Sequence, residues 1–103
     1  MVGVTDSGLT LADIRRQIDA IDAEVVRRLA DREQLVRAAA AFKTDEQAVR
    51  APARVEEVIA KVRALAEREG GSPEVIERVY RAMIGAFIEL ELGEHRGSRP
   101  SSS

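Results

Sequence analysis

From Leu9 to Ala51 the chain contains neither glycine nor proline, and this uninterrupted stretch constrains the fold more than any other feature. Glycine and proline are the strongest local breakers of regular structure, so the segment is free to run as one long element. Its period says which kind. With Ile18 set at zero and each residue advanced by about 100°, Ile14, Ile21, Val25, Leu29, Val36 and Ala39 fall within roughly 60° of it. Thr10 or Asp13 supplies an N-cap, and the stripe predicts a helix from near Leu11 to about Lys43. About 33 helical residues reach roughly 50 Å, whereas a 100-residue globule has a radius of gyration of about 13 Å. Such a rod leaves part of its stripe bare unless a second chain covers it. The expectation is an intertwined homodimer.

The remainder is punctuated. TDEQAVRA is polar and reads as a connection. Pro52 suits the first turn of a second helix, with Val55, Val58, Ile59, Val62, Leu65 and Ala66 on one face. Gly70-Gly71 ends it. Ser72-Pro73 then gives an N-cap and a proline at the first helical position, opening a third helix to about His95. Its stripe is Ile76, Val79, Tyr80, Met83, Phe87 and Leu90. No strand signal or internal repeat is present. The fold expected is all-α: a three-helix chain with a long first helix. One helical domain at 9–96 is flanked by a disordered N-terminus (1–8) and a low-complexity tail (97–103).

Composition narrows the function. Net charge is -2 and the pI about 5.5, so no general attraction to nucleic acid or an anionic membrane is expected, and any anion site must be local. Without cysteine there is no disulfide or thiolate chemistry. No signal peptide or stretch near the ~20 apolar residues of a membrane span is seen, which makes a cytoplasmic protein the default expectation.

Against that background RRLADREQLVRAAAAFK poses a problem. Arg32 and Lys43 fall on the apolar stripe, while Arg16, Arg27 and Arg37 point away. Arg15 lies at the stripe's edge. Along one helix Arg32 and Lys43 are about 16 Å apart, within reach of one small ligand, whereas Arg15 and Lys43 are about 42 Å apart. If two first helices pair antiparallel about residue 27, Arg15 of one chain faces about residue 39 of the other, between Arg32 and Lys43. Arg54, in the first turn of the second helix, can bring a fourth cation. Such a cluster is unstable unless an anion fills it, and arginine forks with aliphatic walls suit a dicarboxylate. The alternative is structural: the basic chains snorkel to water, or Arg32 pairs with Asp22 or with a glutamate of another helix.

The runs LADIRRQIDAIDAEVVRRLADREQLV and FKTDEQAVRAPARVEEVI, with the last helix, resemble the small all-helical chorismate mutases (type II). They resemble especially the isochorismate-pyruvate lyase branch. The likeness covers roughly residues 9–95, and the Arg15, Arg32, Lys43 spacing fits the family without a gap. It implies an intertwined dimer, each site borrowing an arginine from the partner, with no cofactor or metal. Arg15 from the partner chain and Arg32 would then each hold a carboxylate of a chorismate-type substrate. Lys43 would bridge a carboxylate and the enolpyruvyl ether oxygen, Arg54 would line the site, and Val36, Phe87 and Ile88 would wall it. The implied reaction is pericyclic, so no nucleophile or general base is needed. Holding the enolpyruvyl arm over the ring and stabilising charge on the ether oxygen would supply the catalysis.

Two positions depart from the mutase pattern. After the arginine that matches Arg54, family mutases commonly carry a glutamate that contacts the ring hydroxyl; here Val55 stands there, as an apolar residue does in the lyase. Glu91 stands where many members have glutamine reaching the ether oxygen. The expectation is a catalytic Glu91 kept neutral by burial and donating a hydrogen bond; otherwise it is an exposed glutamate at the stripe's edge. The first reading is rearrangement of chorismate to prephenate. Behind it come isochorismate-pyruvate lyase, a mutase of 4-amino-4-deoxychorismate, and a non-catalytic helical dimerisation module.

Overall fold

A computed structural model of the chain describes residues 8–97; the disordered ends expected from sequence lie, apart from Gly8 and Gly97, outside the described residues. Every regular element among them is helical: α1 (Leu11–Ala40), α2 (Glu46–Arg50), α3 (Pro52–Glu69) and α4 (Pro73–Gly97). The three long helices fall where the periodicity put them, with three corrections. α1 stops at Ala40, short of Lys43. α4 runs on to Gly97, past the end expected near His95 and into the first residue assigned to the tail. The polar connection holds a helix of its own, α2, whose Val49 is 2% exposed, the most buried side chain of the core.

The chain divides into two compact units, Met1–Gln34 and Leu35–Ser103, with the boundary falling within α1. In the first, Thr10 and Asp13 close a reciprocal cap. The Asp13 amide donates to Thr10 Oγ1 at 3.1 Å and the Thr10 amide donates to Asp13 Oδ2 at 2.9 Å, so both candidate caps act together. The Thr10 backbone N–H and then its hydroxyl hold the Asp13 carboxyl below its usual range. Charged pairs one turn apart dress the surface, among them Arg27 on Glu24 at 2.6 Å and Arg28 on Asp31 at 3.1 Å. No residue of α1 is buried, and the stripe residues Ile14, Ile18, Ile21 and Val25 are all exposed.

The second unit has a core. Ile59, Val62 and Ala66 of α3 pack with Ile84 and Leu92 of α4, and Val49 of α2 joins them. Each buried aliphatic side chain of this size contributes about 1.5–3 kcal/mol. Val79, placed on the core stripe by its spacing, is 54% exposed, and Ile84 and Leu92 bury in preference. Local chemistry fixes the joints. Gly70 adopts φ 80°, a left-handed conformation that caps α3. The Ser72 hydroxyl accepts from the Val75 amide at 3.3 Å to start α4. Ala51 also sits left-handed, at φ 40°, which costs a non-glycine residue roughly 1–2 kcal/mol. Its N–H still satisfies the Gln47 carbonyl at 3.0 Å, and Pro52 begins α3 without needing a donor of its own.

An ion-pair chain also holds α3 to α4. Arg81 places two nitrogens on the Glu56 carboxylate at 2.9 Å and its Nε on Glu77 at 2.7 Å. Arg63 reaches the other oxygen of Glu77 at 2.7 Å. The Arg81 bonds hold Glu56 and Glu77 below the usual carboxylate range and raise Arg81 itself.

Candidate active site

α1 ends in a tightened turn. The amides of Ala41, Phe42 and Lys43 donate to the carbonyls of Ala38, Ala39 and Ala40, three residues back rather than four. That contraction takes Lys43 off the helix. Asp45 then starts α2, its carboxylate accepting from the Ala48 amide at 2.9 Å, and Val49 seats α2 on α4. Lys43 is therefore held between the tightened end of α1 and the capped start of α2, and turned toward α4.

There it meets Glu91. Lys43 Nζ donates to Glu91 Oε2 at 2.7 Å. The lysine side chain is 26% exposed and the glutamate side chain 6%. Glu91 is the buried charged residue of the described chain, so it is not the exposed surface glutamate that its stripe-edge position allowed. One turn further along α4, Glu94 takes Arg37 of α1. Two cations from one strand of chain thus face two carboxylates of one helix. One turn before Glu91, Phe87 and Ile88 are half-buried, as is Val36 at the end of α1.

Arg54 lies in the first turn of α3, exposed and paired with Glu57 at 2.7 Å. Val55 beside it is half-buried. Of the residues singled out from sequence, the structure brings Lys43 and Glu91 into direct contact. Arg15, exposed, and Arg32, half-buried, belong to the other unit, Met1–Gln34. The Lys43–Glu91 and Arg37–Glu94 pairs went unforeseen, because nothing local links residues 48 and 57 positions apart. The available signal was positional: Glu91 follows Phe87 by four residues and Glu94 follows Glu91 by three, so all three share a face.

A cavity of about 270 Å³ lies at the far end of α3 and α4, among Val62, Ala66, Ile76 and Tyr80. None of the predicted site residues lines it.

Comparison with known proteins decides the family. The pattern described as chorismate mutase type II matches residues 14–92, a span that contains Arg15, Arg32, Lys43, Arg54 and Glu91. The chain belongs to the type II chorismate mutase family. It is an enzyme of this superfamily. The chain is also similar to the isochorismate pyruvate lyase of Pseudomonas aeruginosa, 35% identical over 89 residues, covering 86% of this chain and 88% of that one. No helix among the described residues is long and apolar enough to cross a membrane.

Proposed function

We propose that this enzyme cleaves isochorismate to salicylate and pyruvate. The likeness to the lyase over nearly the whole of both chains carries this reading, and it reverses the order of the two reactions read from sequence. Val55 supports it: the aliphatic side chain next to Arg54 offers a ring hydroxyl no acceptor. In the reaction the ether C–O bond breaks while the hydrogen on the hydroxyl-bearing ring carbon passes to the enolpyruvyl methylene. The ring becomes aromatic and pyruvate leaves, so atoms balance without a co-reactant.

The chain's own residues would work by position and charge. Arg32, and Arg15 of a second copy, hold one carboxylate each. Lys43 bridges a carboxylate and the ether oxygen, where negative charge grows as the bond breaks. Arg54 lines the site, while Val36, Phe87 and Ile88 press the enolpyruvyl arm over the ring. Glu91, beside Lys43, donates to the ether oxygen when neutral. The exposed stripe of Ile14, Ile18, Ile21 and Val25 supports the second copy, since an aliphatic face of that extent gains stability when covered.

Rearrangement of chorismate to prephenate is the second reading, supported by the chorismate mutase pattern over residues 14–92. Separate incubations with chorismate and isochorismate, with products identified, test the choice. Salicylate and pyruvate are expected from isochorismate. Prephenate from chorismate, without salicylate from isochorismate, would reverse it. Neither product would point to 4-amino-4-deoxychorismate, and then to a non-catalytic dimerisation module.

A further inference from the structure

Ala51 joins two helices with no residue to spare. Its N–H donates to the Gln47 carbonyl at 3.0 Å, closing α2, and its own carbonyl accepts from the Val55 amide at 3.0 Å, opening α3. It does both at φ 40° and ψ 61°. Among the described residues it is the one non-glycine residue with positive φ. A left-handed residue is a common way to end a helix, but glycine is its usual occupant. An alanine there holds its Cβ against the following carbonyl oxygen. Pro52 narrows the choice further, because its ring disfavours the right-handed helical region for the residue before it. The two helices therefore do not merge into one, and the chain turns a corner at Ala51.

Strain of this kind persists where the surroundings over-determine it, and it gathers at functional sites. On one side of the corner lies α2, five residues long and too short to hold its direction alone. Its buried side chain, Val49, fastens it to α4. A single point of attachment leaves a short rod free to pivot; the corner at Ala51 is the second point. Lys43 stands just ahead of Asp45, the cap of α2. Arg54 and Val55 stand on the other side of the corner, in the first turn of α3. A pivot of α2 about Val49 would carry Lys43 with it and change its distance from Arg54 and Val55.

We infer that Ala51 is a positioning residue: its left-handed corner fixes the direction of α2, and so the place of Lys43 relative to Arg54 and Val55. This rests on the reading of Lys43 and Arg54 as substrate contacts and deepens it. The methyl group carries the effect. Glycine would enter the same turn without penalty, but it populates a wide range of φ on both sides of zero. For alanine the left-handed region is a small well. An alanine corner is strained and stiff, whereas a glycine corner is relaxed and loose. Stability and activity therefore part company at this one position. Asparagine separates the two properties, since it keeps a Cβ and enters the left-handed region more readily than alanine.

The wild type, Ala51→Gly and Ala51→Asn are compared in three ways. Melting temperature reads the strain, hydrogen exchange at the amides of Val49 and residue 51 reads the stiffness of α2, and steady-state kinetics on the preferred substrate read the site. Ala51→Gly is expected to melt no lower than the wild type and to exchange both amides faster. Its kcat should fall by about tenfold with a smaller change in KM, within the ~10²-fold that a 1 Å misplacement can cost. Ala51→Asn is expected to keep wild-type kcat and wild-type exchange. Faster exchange in Ala51→Gly with unchanged kcat would overturn the positioning role, because α2 would be loosened at no cost to the site. Unchanged exchange would overturn it too, since the methyl group would then not hold α2. A kcat that simply follows melting temperature across the three proteins would make the corner a structural joint and nothing more. A wild-type protein inactive on chorismate, isochorismate and 4-amino-4-deoxychorismate would remove the reading of Lys43 and Arg54, and the positioning role with it.

Discussion

The two units carry the same kind of amphipathic sequence and meet opposite fates. In Leu35–Ser103 the apolar faces of α3 and α4 close on each other and on Val49, leaving Ile59, Val62 and Leu92 buried. In Met1–Gln34 an equally regular stripe stays open, with Ile18 half exposed at 50% and Ile21 at 61%. Charge follows the same division. The first unit includes exposed, local pairs such as Arg27–Glu24; the second places Lys43 on an almost wholly buried carboxylate. Periodicity says that a face needs covering. The exposed stripe of the first unit is the observation behind the second copy proposed above.

That contrast can be broken most sharply through activity. Lys43→Met is expected to lower turnover by about 10²–10³-fold, the cost typical of removing one group that stabilises a developing oxyanion. Arg15→Met, although exposed in one chain, is expected to cost a comparable factor if a second copy uses it. Steady-state rates on the preferred substrate measure both. An Arg15→Met enzyme with wild-type kinetics would remove Arg15 from the site and leave Arg32 as the first unit's contribution.

Stability sharpens the comparison at smaller scale. Ile59→Val should cost about 0.5–1.5 kcal/mol as a buried methylene is lost. Ile18→Val should cost a similar amount only where a second copy covers the stripe, and its effect should therefore depend on protein concentration. Denaturant melts at two concentrations separate these cases. Asp45→Ala, which removes the cap of α2, should cost about 1 kcal/mol and loosen the seat of Lys43. Exposed pairs set the floor: Glu24→Gln should change stability by no more than about 0.5 kcal/mol.

The pH dependence of stability reports on the pairs that tie α3 to α4. Glu56 and Glu77 are held below the usual carboxylate range by Arg81, so their folded forms bind protons less readily than the unfolded chain does. Their contribution is fully present above the ordinary glutamate value and is lost as pH falls through the depressed folded one. Thermal melts should show the wild type losing stability on acidification more steeply than Arg81→Met. Equal slopes would mean the chain of pairs between α3 and α4 is neutral in energy.

The legible features were those written in adjacent residues. Thr10 with Asp13, Gly70, and Ser72 with Pro73 announce helix ends by local chemistry, and each acts where the sequence put it. α2 escaped because five residues are too few to show a period, and its single buried side chain, Val49, sits among polar neighbours. The end of α1 escaped for a related reason: the alanine run to Ala41 favours helix, while the backbone tightens into a turn there. Lys43 was identified as an inward-facing cation, and its Glu91 partner was identified separately. Their union depends on how α4 lies against the turn, which no spacing encodes.

The most direct test of the account is complementation between inactive variants. The Arg15→Met and Lys43→Met proteins are purified, mixed under conditions that would exchange subunits of an oligomer, and assayed. If each site takes Arg15 from one chain and Lys43 from the other, every mixed dimer regains one intact site. Random exchange should then restore about a quarter of the wild-type rate. If both residues serve a site within the same chain, every site in the mixture stays broken. A mixture no more active than its parents, with exchange verified, would contradict the shared site.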